Sequence, residues 1–154
     1  MAKAHEIMVD QVISVSENDS VKTVLRAFVE HRISGVPIIN TNNEPAGYIS
    51  DGDIMKYIGY RDPLVYFFDL TTYTSAWVET ESFEDKIQDL KDLNVMAIAT
   101  KRIITVQFNE EIDEVAKVLG SKKIKKVPVI KEKKLVGIIS RGDIVRFVVK
   151  NHLD

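Results

Sequence analysis

The chain has 154 residues, 45% of them apolar, enough for one well-formed globule but hardly for two independent ones. A formal net charge of −2 argues against broad nucleic-acid binding, and the lack of cysteine excludes a disulfide framework, a thiol nucleophile and a thiolate metal site. No run approaches the ~18 apolar residues of a membrane span and Met1-Ala2-Lys3-Ala4-His5 opens no secretory segment, so a soluble cytoplasmic protein is expected.

In chain order, Met8–Val15 leads into a short strand. Asn18-Asp19-Ser20-Val21 then opens a helix in which Val21, Val24, Leu25 and Phe28 recur at i, i+3, i+4 and i+7, one apolar face. Asn18 or Ser20 can cap it. After Ser34-Gly35, Val36–Ile39 reads as a β-branched strand, and the polar turn Asn40–Ala46 leads to a second strand at Tyr48-Ile49. The run Gly47-Tyr48-Ile49-Ser50-Asp51-Gly52-Asp53-Ile54 passes from that strand into a closing helix over Asp53–Ile58.

A segment without internal repetition follows, from Gly59 to Asn94. Seven of the twelve aromatics fall between Tyr57 and Trp77: Tyr57, Tyr60, Tyr66, Phe67, Phe68, Tyr73 and Trp77. Asp62-Pro63 starts a turn or helix, and Leu64–Phe68 is too apolar to lie freely in water. The aromatics read as an extension of the core or of a homodimer interface, or else as a lid or a partner-docking surface. From Ser82, with Phe83, Ile87, Leu90 and Leu93 near helical spacing, a second amphipathic helix is expected. Ser82-Phe83-Glu84-Asp85 resembles a capping box that opens it.

The first pattern then returns, about 90 residues on. Ala99–Val106 matches Met8–Val15. Asn109-Glu110-Glu111-Ile112 opens a helix with Ile112, Val115, Ala116 and Leu119 on one face and Asn109 as its candidate cap. The strand Val127–Ile130, the turn Lys131–Val136 (one residue shorter than its counterpart) and the strand Ile138-Ile139 follow. Gly137-Ile138-Ile139-Ser140-Arg141-Gly142-Asp143-Ile144 then enters a closing helix over Asp143–Lys150. Similarity at fixed spacing means two copies of one structural unit. A unit of roughly 50–60 residues buries little apolar surface alone, so the copies are expected to pack face to face about a pseudo-two-fold axis, with a cleft between them. Each copy ends with a glycine, a hydroxyl and a carboxylate where a strand gives way to a helix, a place that can hold the phosphate and ribose of a nucleotide.

The order and spacing of these residues resemble the CBS domain, the tandem-pair module named after cystathionine β-synthase. The resemblance covers Ile7–Ile58 and Val95–Val149. It implies an α/β (α+β) fold built from a tandem pair of β-α-β-β-α units, with unit 1 over residues 1–58, an aromatic-rich insert and connecting helix over 59–94, and unit 2 over 95–154. It also implies adenosyl-nucleotide binding in the clefts (AMP, ADP or ATP, with S-adenosylmethionine or a dinucleotide as alternatives) and a homodimeric, energy-sensing regulatory role. The family motif of glycine, two residues, Ser/Thr, two residues and Asp is met at Gly47, Ser50 and Asp53, and again at Gly137, Ser140 and Asp143. In such sites the aspartate accepts from the ribose hydroxyls, and the serine with nearby helix amides faces the phosphate. The base lies against backbone at Gly35-Val36 and Ser14 in the first copy, and at Lys126-Val127 and Thr105 in the second.

Ser-x-x-Asp is equally a cap for the first helical turn, and both readings can hold at once. The copies also differ. Between hydroxyl and carboxylate the first has Asp51, repulsive to phosphate, where the second has Arg141, which can donate a bidentate pair. Lys101-Arg102, Lys122, Lys123, Lys125 and Lys126 also surround the second copy's strands, against His31 and Arg32 in the first, or else form a merely solvated helix end. A phosphate-bearing ligand is therefore expected to favour the second site.

No catalytic set emerges. His5, His31 and His152 are unclustered, no Gly-x-x-x-x-Gly-Lys-Ser/Thr loop occurs, and Glu79, Glu81 and Glu110-Glu111 read as solvated surface. The expectation is a non-enzymatic adenine-nucleotide sensor whose output passes to another, unknown effector chain, since no further domain follows Asp154. The alternatives are a ligand-free dimeric scaffold, or assistance in nucleic-acid regulation through the Lys/Arg strip.

Overall fold

The computed structural model describes residues 1–59, 82–122 and 124–153; the expectations for the aromatics from Tyr60 to Trp77, for Asp62-Pro63 and for Lys123 lie outside them. Chain order is α1 (Ala4–Ile7), β1 (Val15–Ser16), α2 (Val21–His31), β2 (Gly35–Ile39), β3 (Pro45–Ser50), α3 (Asp51–Gly59), α4 (Phe83–Asp92), β4 (Val106–Gln107), α5 (Ile112–Ser121), β5 (Lys126–Lys131), β6 (Lys134–Ser140) and α6 (Arg141–Val148). A 3-10 turn over Val95–Ala97 follows α4, and a wider π-type turn over Val149–Leu153 extends α6. The architecture is α/β (α+β), with the β-α-β-β-α unit present twice.

Each unit holds a three-stranded sheet, ordered β1-β2-β3 and β4-β5-β6. The short first strand runs parallel to the second, and the second runs antiparallel to the third. Val36 stands opposite Ile49 and Pro37 opposite Tyr48; Val127 stands opposite Ile139 and Pro128 opposite Ile138. Since successive side chains alternate between faces, Val36, Ile38 and Ile49 enter one apolar cluster, while Val127, Val129 and Ile139 enter another. Pro37, Tyr48 and Ser50 share the opposite face with the backbone of Gly35.

The one-residue difference between the hairpins has a local cause. In the second, Glu132 (φ 50°) and Lys133 (φ 69°) are both left-handed, the backbone of a two-residue type I′ turn. In the first, the extra residue is absorbed by Asn40, whose side-chain oxygen accepts from the amides of Asn42 and Glu44, both at 2.9 Å.

The units interlock through exchanged segments. Ala4 is fully buried in the second unit's cluster, and Leu90 and Val95 are fully buried in the first's. Val9 pairs with Ile138 through two backbone hydrogen bonds of 2.9 Å, and Thr100 pairs with Tyr48 in the same way. Thus the lead-in to each unit adds to the last strand of the other.

This exchange also corrects the expected caps. Ser20 stands at the N-cap of α2 without bonding its amides, Asn18 lies in the preceding turn, and Glu111 rather than Asn109 precedes α5. The helix-opening amides are satisfied by the crossing segments instead: Val21 donates to the Leu93 carbonyl at 2.8 Å and Ile112 to that of Ala2 at 3.0 Å. Ser82 does cap α4, accepting from the Asp85 amide at 3.2 Å. The closing helices start two residues earlier than expected, at Asp51 and Arg141, which sets both aspartates in the first turn.

Candidate functional site

Both strand-to-helix corners are tied down in the same way. The Asp51 amide donates to the Ser34 carbonyl at 2.8 Å and the Arg141 amide to that of Lys125 at 3.1 Å, fixing each helix start against the entry to the central strand. Register then sets Gly35 opposite Ser50 and Lys126 opposite Ser140. Gly35, Ser50 and Asp53 are thus brought together in one corner, and Lys126, Ser140, Arg141 and Asp143 in the other.

Within the corners the carboxylates are held differently. In the first, Asp53 Oδ2 accepts from the Ser50 amide at 2.9 Å and lies 3.2 Å from the Ser50 hydroxyl. In the second, Asp143 Oδ2 accepts from the Ser140 amide at 2.8 Å, and the Ser140 hydroxyl accepts in return from the Asp143 amide at 3.2 Å. That reciprocal pair is a complete capping box. Asp143 Oδ1 also accepts from Arg146 Nη2 at 2.6 Å, a partner the sequence reading missed; its counterpart in the first unit is Lys56. Burial pushes the Asp143 carboxyl up, but the Ser140 amide, the Arg146 guanidinium and the Ser140 hydroxyl outweigh it and hold the group below the ordinary carboxylate range.

The remaining expected residues separate by role. Val36 and Val127 turn fully buried side chains into the cores, so only their backbone faces the corners. Ser14 and Thr105 are half-buried just before β1 and β4, with no hydrogen bond to Ser50 or Ser140. Gly47 and Gly137 make room for the crossing segments. A Cβ on Gly47 would lie 3.0 Å from the Thr100 carbonyl oxygen, and one on Gly137 would lie 2.7 Å from Met8 Cγ.

Charge divides the corners too. Arg141 Nε donates to the Ile124 carbonyl at 2.9 Å, which sets the guanidinium beside the entry to β5. Lys101, Arg102, Lys122 and Lys125 are exposed, and none pairs with a carboxylate among the described residues. The first corner instead presents Asp51 and Asp53. Between those carboxylates and Gly35 stands Tyr48, its phenol pushed up to about 12 by burial, then by Asp51 and Asp53. Sequence reading took Tyr48 for a strand residue only; its counterpart Ile138 was the available signal. Among the described residues no cluster of His, Asp or Glu could hold a metal ion, and no helix is long and apolar enough to cross a membrane.

Two units of this topology, each with a glycine, serine and aspartate at the same strand-to-helix corner, define a tandem-repeat architecture. The CBS domain family model matches residues 4–60 and again residues 94–150, and the chain belongs to the CBS domain family. It is 27% identical over 151 residues to the uncharacterized protein MJ1426 of Methanocaldococcus jannaschii, covering 94% of this chain and 89% of that one. Several further relatives are much longer proteins, of which the chain spans between 23% and 41%. Among solved structures, it matches CBSX2 in complex with AMP, a protein of Arabidopsis thaliana, with a TM-score of 0.73 at 22% identity, over 97% of this chain and 98% of that one. A CBS domain pair of protein MJ0100 in complex with 5′-methylthioadenosine and S-adenosyl-L-methionine matches with a TM-score of 0.71 at 22% identity, over the same shares of each chain. Both structures share the fold.

Proposed function

We propose that this chain is a non-catalytic regulatory module that binds an adenosyl ligand at its strand-to-helix corners and passes the signal to another protein. The observation that carries the reading is the duplicated carboxylate, held rigid by its serine amide at 2.9 Å in one unit and 2.8 Å in the other. A carboxylate pinned through one oxygen by backbone presents its other oxygen to the paired hydroxyls of a ribose, with no side-chain freedom to lose. The AMP bound to CBSX2, and the methylthioadenosine and S-adenosylmethionine bound to MJ0100, support an adenosyl group as the common element.

AMP, ADP or ATP fits the second corner better than a ligand without phosphate, because Ser140 and the α6 amides meet Arg141, Lys125 and Lys126 there. Ser50, Asp53 and the Gly35 backbone form the weaker first corner. The Asp143–Arg146 pair must open to free Oδ1, and this costs little because the Arg146 side chain is 72% exposed. A ligand seated between interlocked units favours the arrangement it binds more tightly, and that difference is the whole of the signal available to an effector protein or a homodimer partner.

The complete box formed by Ser140 and Asp143 favours a second reading, a ligand-free scaffold in which the motif only caps its helix. Calorimetric titration with AMP, ATP and S-adenosylmethionine separates the two. Losing a hydrogen-bonded carboxylate costs roughly 1.5–3 kcal/mol, so Asp143→Ala should weaken AMP about 10- to 100-fold and Asp53→Ala less. Equal losses contradict the asymmetry; no heat from any of the three ligands leaves the scaffold.

A further inference from the structure

The corners differ most in what stands opposite the motif serine's neighbours. In the first unit the central strand opens with Gly35, and the residue two before Ser50 is Tyr48; in the second these places hold Lys126 and Ile138. Gly35 has no left-handed backbone to explain it, since no glycine among the described residues has positive φ. Its lack of a side chain serves space instead. A Cβ there would lie 2.9 Å from both Cε1 and Cζ of Tyr48 and closer still to the phenol oxygen, so the ring rests on the Gly35 backbone. That surface, between Gly35 and the Ser50–Asp53 corner, is where the base and ribose of an adenosyl ligand would have to lie.

We infer that Tyr48 fills the first crevice as a built-in occupant, so that the chain takes one adenosyl ligand, at the Ser140–Asp143 corner, although its motif is duplicated. The inference rests on the adenosyl-binding reading above and names the residue that sets its stoichiometry. Three further observations agree. The Tyr48 phenol, half-buried and raised by burial and then by Asp51 and Asp53, places ring and carboxylates close together. An incoming phosphate would meet those two carboxylates, and no basic side chain pairs with Asp53 among the described residues. In the second unit the short branched Ile138 stops where the tyrosine ring continues, and Lys126 is a flexible chain that can move aside.

The test uses the full chain and AMP as the probe. Wild type is expected to bind one AMP per chain by calorimetry, and Tyr48→Ile, which installs the residue found at Ile138, two. Adding Asp53→Ala to Tyr48→Ile should return the count to one. Tyr48→Phe, which keeps the ring, should stay at one. Should Tyr48→Ile fail to fold, photolabelling of wild type with 8-azido-AMP serves instead, with label expected only on peptides from β5 to α6. Two sites in wild type, label on β2 or β3, or a Tyr48→Ile chain still binding one AMP overturns the inference and leaves the adenosyl reading standing. No binding of AMP, ATP or S-adenosylmethionine to wild type or to Tyr48→Ile overturns both.

Discussion

Asp143 shows how one side chain can serve two purposes. Its Oδ2 secures the first turn of α6 and its Oδ1 is engaged by Arg146 at 2.6 Å. Because the folded carboxyl sits below its ordinary value, its contribution to stability is complete at neutral pH and is lost as pH falls through that depressed value. The difference in unfolding free energy between wild type and Asp143→Asn, measured by urea titration, should therefore be constant from pH 7 down to about 5 and shrink below about 4. A difference that persists undiminished to about pH 2 would show that the charge is immaterial. The motif residues were legible in sequence because they occur twice at matched places. Tyr48 was not, since a tyrosine in a strand is ordinary, and only the ring lying on Gly35 distinguishes it.

Among the elements, α4 carries the least expected role. Its capping serine and apolar spacing announced a helix, but not which unit it belongs to. Leu90 is fully buried beside Val21, Val24 and Val95, while Phe83, at the start of the same helix, is 60% exposed. Leu90→Ala should therefore destabilise the chain by about 2–5 kcal/mol, against less than about 0.5 kcal/mol for Phe83→Ala, read by chemical denaturation. Similar small effects from both would mean that α4 only connects the units. The expected caps at Asn18, Ser20 and Asn109 failed for a related reason. Backbone carbonyls of Leu93 and Ala2 arrive from the crossing segments, and no side-chain pattern encodes a carbonyl.

Across the whole molecule, each unit is completed by the lead-in to the other: Val9 on Ile138 and Thr100 on Tyr48. Hydrophobic periodicity reveals faces but not partners, so the repeat predicted two units and could not predict their interlocking. Thr100 bonds the backbone of the very residue whose ring lies on Gly35, and Val9 bonds the second corner's strand. The last strand at each corner is thereby tied to the lead-in of the other unit.

Adenosyl binding at a strand-to-helix corner is read most directly by amide chemical-shift mapping of the isotope-labelled chain titrated with AMP. Saturable shifts are expected at Lys126, Ser140, Arg141, Gly142 and Asp143, with the Gly35 and Ser50 amides little moved. Unperturbed spectra at millimolar AMP, or shifts scattered away from both corners, would contradict it.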